Sequence, residues 1–128
     1  MPAHKETLIE LTVGDEIITG TLFDNPAANA LVQQLPLTLL FDDLNSIEKL
    51  AALASPLPMD GMPPGHAPEA GDIGYWAPGG KLVLYYAPFP YWEGIARLGS
   101  FDGIASIKAQ TGSFTVTIAP EGAHPGNR

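Results

Sequence analysis

Apolar and polar positions alternate over the first third of the chain. Thr7-Leu8-Ile9-Glu10-Leu11-Thr12-Val13 and Ile17-Ile18-Thr19-Gly20-Thr21-Leu22 are rich in β-branched and aliphatic residues, with Gly14-Asp15-Glu16 between them. Two such runs joined by a Gly-containing turn predict a β-hairpin. Behind Asp24 and Asn25-Pro26 the spacing changes. Ala27, Ala28, Ala30, Leu31, Val32 and Leu35 recur with helical period, predicting a helix of about ten residues behind a polar N-cap. Pro36 ends it, and Leu37-Thr38-Leu39-Leu40-Phe41 reads as a strand entering the acidic corner Asp42-Asp43. Residues 47–53 are expected to form a turn or two of helix.

The punctuation is densest in the middle of the chain. Residues 55–70 carry Pro56, Pro58, Pro63, Pro64 and Pro68 with Gly61 and Gly65. A structureless segment longer than ~12–15 residues is either functional or mobile, so this one is expected to be a binding flap or a mobile loop. Two strands, 71–76 and 81–86, flank Ala77-Pro78-Gly79-Gly80, which is the clearest hairpin in the chain. Ala87-Pro88-Phe89-Pro90 makes a second corner before a strand at 94–99. A short helix is expected at 104–109, a last alternating strand at 114–118 and a frayed tail from 119. Short strands with turn signals every 8–12 residues argue for a closed barrel or sandwich, and against parallel βαβ winding.

Length and composition narrow the class. A chain of 128 residues, 45% hydrophobic and only 16% charged, suits one packed domain with a core over about 7–118 and tails at 1–6 and 119–128. A formal net charge of −8 would repel a polyphosphate backbone, so nucleic acid is a poor partner. With no cysteine there is neither a disulfide framework nor a thiolate metal site, which suits a reducing compartment. The opening Met1-Pro2-Ala3-His4-Lys5-Glu6 lacks a signal-peptide stretch, and no apolar run approaches the ~20 residues of a membrane helix. A cytoplasmic protein with no membrane partner is the expectation.

One segment carries a family likeness. Gly71-Asp72-Ile73-Gly74-Tyr75-Trp76-Ala77-Pro78-Gly79-Gly80-Lys81-Leu82-Val83-Leu84-Tyr85-Tyr86 resembles the G-D-I/V-x-Y-(Y/W)-x-P-x-G-x-L-x-(I/L)-(F/Y) signature of bacterial cyclophilin-like domain proteins. Leu35-Pro36-Leu37-Thr38-Leu39 with 43–49, Thr21 to Asn25, and Arg97-Leu98-Gly99 resemble the same group, so the likeness runs from about Leu8 to Ile118. It implies a mainly β fold, a closed eight-stranded antiparallel barrel with one or two short capping helices. The cyclophilin isomerases also resemble one another around a catalytic arginine in a Phe-His-x-(Ile/Val)-like context. That stretch is missing here, and Arg97, the only internal arginine, lies late in the chain.

Candidate chemistry centres on aromatics. Tyr75, Trp76, Tyr85, Tyr86, Phe89, Tyr91 and Trp92 crowd into eighteen residues, and their faces would grip a proline ring or planar ligand unless they fill the barrel. Alternation sends Tyr85 and Tyr86 to opposite faces. Asp42, Asp43, Asn45 and Glu48 follow a strand end, where they would hydrogen-bond a ligand or bind a hard cation, unless they serve as turn residues and a solvated helix start. On a strand, Arg97 shares a face with Glu93 and Ile95, either as an anchor for a carboxylate or carbonyl or as an exposed ion pair. His4, His66 and His124 are too scattered for a metal site, and no nucleophile elbow, P-loop or dinucleotide fingerprint occurs, so no cofactor is expected. The leading reading is a binding module for a peptide or small molecule, with Tyr75, Tyr86, Phe89, Tyr91, Arg97, Asn45 and Glu48 as ligand-binding candidates. No residue declares a catalytic role by type and spacing. The alternative is an enzyme, isomerase-like or hydrolysing small amides, the latter from a more distant likeness to the barrel domains of carboxylase-type amidohydrolases. A homodimer that buries the aromatics is the third reading.

Overall fold

A computed structural model describes residues 6–44 and 46–122. Its strands are β1 (Thr7–Val13), β2 (Glu16–Leu22), β3 (Leu37–Leu44), β4 (Glu48–Ala52), β5 (Gly65–His66), β6 (Asp72–Trp76), β7 (Lys81–Tyr85), β8 (Trp92–Glu93), β9 (Ile95–Phe101) and β10 (Phe114–Pro120). Two α-helices, α1 (Pro26–Val32) and α2 (Ile104–Lys108), and a short 3-10 turn at Ala77–Gly79 complete it. Eight strands close a barrel in the order β1-β10-β3-β4-β7-β6-β9-β2, and every pairing is antiparallel. Closure removes the unpaired edges that an open sheet of this size would expose.

The period-two pattern sorts the side chains. Ile9, Leu11 and Val13 of β1 and Ile18 and Leu22 of β2 face inward and are buried, joined by Phe41, Leu82, Leu84, Leu98, Val116 and Ile118. The seam between β2 and β9 is tight. A Cβ on Gly99 would stand 1.9 Å from the Thr21 carbonyl oxygen, so only glycine lets these backbones meet. Asn25 caps α1 by accepting the Ala28 N–H at 2.8 Å, and Ala27, Ala28 and Leu31 cover one end of the barrel. Because α1 follows β2 and α2 follows the antiparallel β9, the helices close opposite ends. Ile107 of α2 plugs the second end, where Lys49 enters the barrel.

Three expectations shift. Within residues 47–53 the chain forms strand β4 (Glu48–Ala52), not helix. Although Glu48, Lys49, Leu50 and Ala51 favour helix locally, β3 and β7 flank them with ladder partners on both sides, and tertiary pairing overrides propensity. The 55–70 loop is pinned rather than loose. Its strand β5 pairs with β8, Phe89 N–H donates to the Pro68 carbonyl at 3.0 Å, and Gly94 N–H donates to the Pro64 carbonyl at 2.9 Å. Leu57 is buried, its N–H donating to the Tyr75 hydroxyl at 3.1 Å. At the C-terminal side β10 runs on to Pro120, and Glu121 N–H donates to the Leu8 carbonyl, so fraying does not begin at 119. No helix among the described residues is long and apolar enough to cross a membrane.

Candidate functional site

The outer face of β4, β7, β6 and β9 carries apolar surface that is covered, whereas Leu8, Ile17 and Leu40 stand exposed on β1, β2 and β3. Val83, Tyr85 and Ile95 are as buried as core residues yet stand outside the barrel cluster, because 86–94 and 55–70 fold over them. Strand register sets three rows across this face. One runs Glu48, Tyr85, Asp72; the next Leu50, Val83, Gly74, Arg97; the third Lys81, Trp76, Ile95. Gly74 makes room in the middle row. A Cβ there would lie 2.8 Å from Cε2 of Tyr85, so the ring lies across a bare backbone.

Over the first half of these rows opens a groove of about 230 Å³. Leu50, Val83 and Ile95 supply its aliphatic surface, Trp76, Tyr85, Phe89 and Trp92 its rings, and Leu44, Glu48 and Lys81 complete the lining. Phe89 and Trp92 come from the covering segment and lean on each other, with centroids 6.0 Å apart at 52°. Glu48 and Lys81 lie two rows apart, so an acid and an amine bracket an apolar middle. Burial pushes the Glu48 carboxyl above its ordinary 4.5, a hydrogen bond from Tyr85 opposes that rise, and the charge of Asp43 adds to it. Burial also raises the Tyr85 phenol, with the Glu48 charge reinforcing it, so Tyr85 stays protonated as a donor.

Beyond Ile95 the same face turns polar. Asp72, 4% exposed, accepts Arg97 Nε at 2.9 Å with one oxygen; the other meets His66 Nε2 at 3.1 Å and accepts the Glu69 N–H at 2.9 Å. The guanidinium lies 4.7 Å over the Phe23 ring, and Asn25 Nδ2 donates to the Arg97 carbonyl at 3.1 Å. A second cavity, about 250 Å³, opens here between β9, β5 and the start of α1. Among the described residues no group of three or more His, Asp or Glu side chains is placed to hold a metal ion.

The residues singled out from the sequence separate. Glu48 and Phe89 line the groove. Tyr75 does not: it pairs with Leu82, shares that residue's inward face and is 1% exposed in the core. Tyr86 lies past the end of β7, where its hydroxyl donates to Asp43 and the Lys49 ammonium sits 5.4 Å from its ring. Tyr91 is exposed, on a shallow surface with Pro78, Trp92, Glu93 and Gly94. Arg97 lines the second cavity instead of the groove. Asn45 lies outside the described residues. Tyr85, Trp76, Lys81, Val83 and Ile95 line the groove without being among the ligand-binding candidates, although the sequence carries a signal: in Lys81 to Tyr85 the leucines at 82 and 84 mark the inner face, leaving 81, 83 and 85 outward.

A sequence profile of the cyclophilin-like family matches residues 11–119, from within β1 to within β10. The chain belongs to the cyclophilin-like family. Its barrel is similar to the solution structure of a hypothetical protein from Archaeoglobus fulgidus, with a TM-score of 0.66 at 14% identity, covering 93% of this chain and 98% of that one. At that identity the likeness concerns the fold. No curated protein matches the chain. Within this cyclophilin-like barrel the groove and the second cavity share one wall residue, Ile95, and lie on a single outer face.

Proposed function

We propose that this protein is a binding module whose outer-face groove takes a peptide or small molecule with an apolar body. The observation that carries the reading is the pairing of an aromatic and aliphatic lining with charged groups only at its margins, Glu48 and Lys81. Ligand sites have this composition: apolar area supplies affinity, and a few polar groups fix orientation. The neighbouring strand surface, by contrast, carries Thr38, Thr115 and Thr117 of β3 and β10 around a single exposed Leu40.

An isomerase reading has less support. It asks for a donor aimed at a prolyl amide inside the apolar groove, and Arg97, the only internal arginine, is tied to Asp72 on the far side of Ile95.

The test uses the two tryptophans, both of which line the groove. Intrinsic fluorescence is followed during titration with a proline-containing tetrapeptide and then with a small-molecule fragment library. A saturable change that is lost in Val83→Glu, with the fold retained by circular dichroism, is the expected result. No saturable change with any compound would refute the reading.

A further inference from the structure

We propose that Arg97 forms a carboxylate-recognition site in the second cavity, separate from the aromatic groove. The arginine is held from two directions. Nε is taken by Asp72 at 2.9 Å, the guanidinium plane rests 4.7 Å over Phe23, and Asp72 itself is fixed by His66 and the Glu69 N–H. These contacts set the plane and direction of the guanidinium before any ligand arrives, so little side-chain freedom remains to be lost on binding.

What is left over is the other edge. Among the described residues no acceptor meets either terminal nitrogen of Arg97, although its side chain is 44% exposed and lines the cavity. Two parallel N–H donors at that edge match the two oxygens of a planar carboxylate. The cavity surroundings agree in sign. In a chain of net charge −8, the lining of this cavity includes no Asp or Glu: Phe23, Asn25, Met62 and His66 share it with Arg97, together with glycine, proline and aliphatic residues. Asp72 is engaged through the opposite edge and partly neutralises the arginine without occupying the fork. Phe23, Met62 and Ile95 give the organic portion of an acid something apolar to lie against. The class of ligand is therefore a small carboxylic acid with an apolar or aromatic body.

The site does not depend on the groove being occupied, so the two ideas fail separately. The experiment is a ¹H–¹⁵N titration of the full chain, following the Arg97 Nε–H resonance and the backbone amides of Phe23 and His66. The probes are benzoate, its neutral counterpart benzamide, and inorganic phosphate. The expected result is a saturable shift with benzoate, a response to benzamide weaker by about tenfold or more, and phosphate weaker than benzoate. Arg97→Lys keeps the charge and loses the fork, so it is expected to weaken benzoate by about tenfold. Equal binding of benzamide, no saturation by benzoate, or phosphate as tight as benzoate would each overturn the assignment. Because the benzoate–benzamide comparison is made on the unaltered protein, the outcome stands even if Arg97→Lys fails to fold.

Discussion

Tyr85 of β7 and Glu48 of β4 are register partners on the outer face, which sets the buried phenol beside the carboxyl. This places a titrating acid, 9% exposed, at the margin of the groove. Burial raises its pKa above 4.5, so the folded protein holds a proton that the unfolded chain has already released. Stability from this group is fully present below 4.5 and declines as pH rises through the raised value. Glu48→Gln keeps an acceptor for Tyr85 and removes the buried charge. Its melting temperature is expected to exceed that of the parent at pH 8, with the gap closing near pH 4. A gap of the same size at both pH values would show that Glu48 titrates normally.

Tyr75 offers the contrasting case of a ring that faces the core. Its hydroxyl accepts the buried Leu57 N–H, which ties the proline-rich loop to the barrel. Tyr75→Phe leaves that N–H without its acceptor, which costs about 1–2 kcal/mol in denaturant unfolding. Binding to the groove, followed by tryptophan fluorescence, should be unchanged. A variant that binds more weakly at unaltered stability would put Tyr75 in the site after all.

The contrast between these tyrosines marks how far the sequence could be read. The hairpins, α1, the barrel class and the family likeness all rest on local patterns that the chain displays openly: period-two runs, Asn25-Pro26, and Ala77-Pro78-Gly79-Gly80. Which face a tyrosine takes depends on register. The four-residue connection pairs Tyr75 with Leu82 and thereby turns it inward, while Tyr86 falls beyond the last pair of β7. Residues 48–52 show the opposite failure, where good helix formers became strand because β3 and β7 lie on either side. The link from Arg97 to Asp72 and His66 joins positions far apart in sequence and has no local signature.

Lys49 and Asp43 form an unequal pair at the α2 end of the barrel. The lysine side chain is 3% exposed and the aspartate 33%, with Nζ 3.0 Å from Oδ1 and 2.7 Å from the Gln110 carbonyl. Removing the exposed partner strands a buried charge; removing the buried one leaves an acid that water can solvate. Asp43→Asn is therefore expected to cost about 1–3 kcal/mol, more than Lys49→Met, and the double variant should resemble Lys49→Met alone. Urea unfolding of the three variants measures this. The reverse order would mean that the lysine is held chiefly by its carbonyl contact and the Tyr86 and Phe114 rings rather than by Asp43.

Closure of the barrel is the feature on which both cavities depend, since β9 carries Ile95 and Arg97 and is joined to β2 by only a few pairs. Gly99 sits in that short seam opposite Leu22, with the Thr21 carbonyl oxygen 1.9 Å from where a Cβ would be. The obstacle is ladder backbone, which cannot swing aside as a side-chain tip can. Gly99→Ala must push β9 away from β2, lengthening the hydrogen bonds of the seam and opening the layer that contains Leu98 and Phe101. The expected loss is about 3 kcal/mol or more, with amide exchange accelerated first along β9 and β2 and the β1–β10–β3 side protected longest. Exchange that speeds up evenly around the barrel would mean the eight strands open as one unit, and a variant as stable as the parent would show that the seam has slack the backbone positions do not reveal.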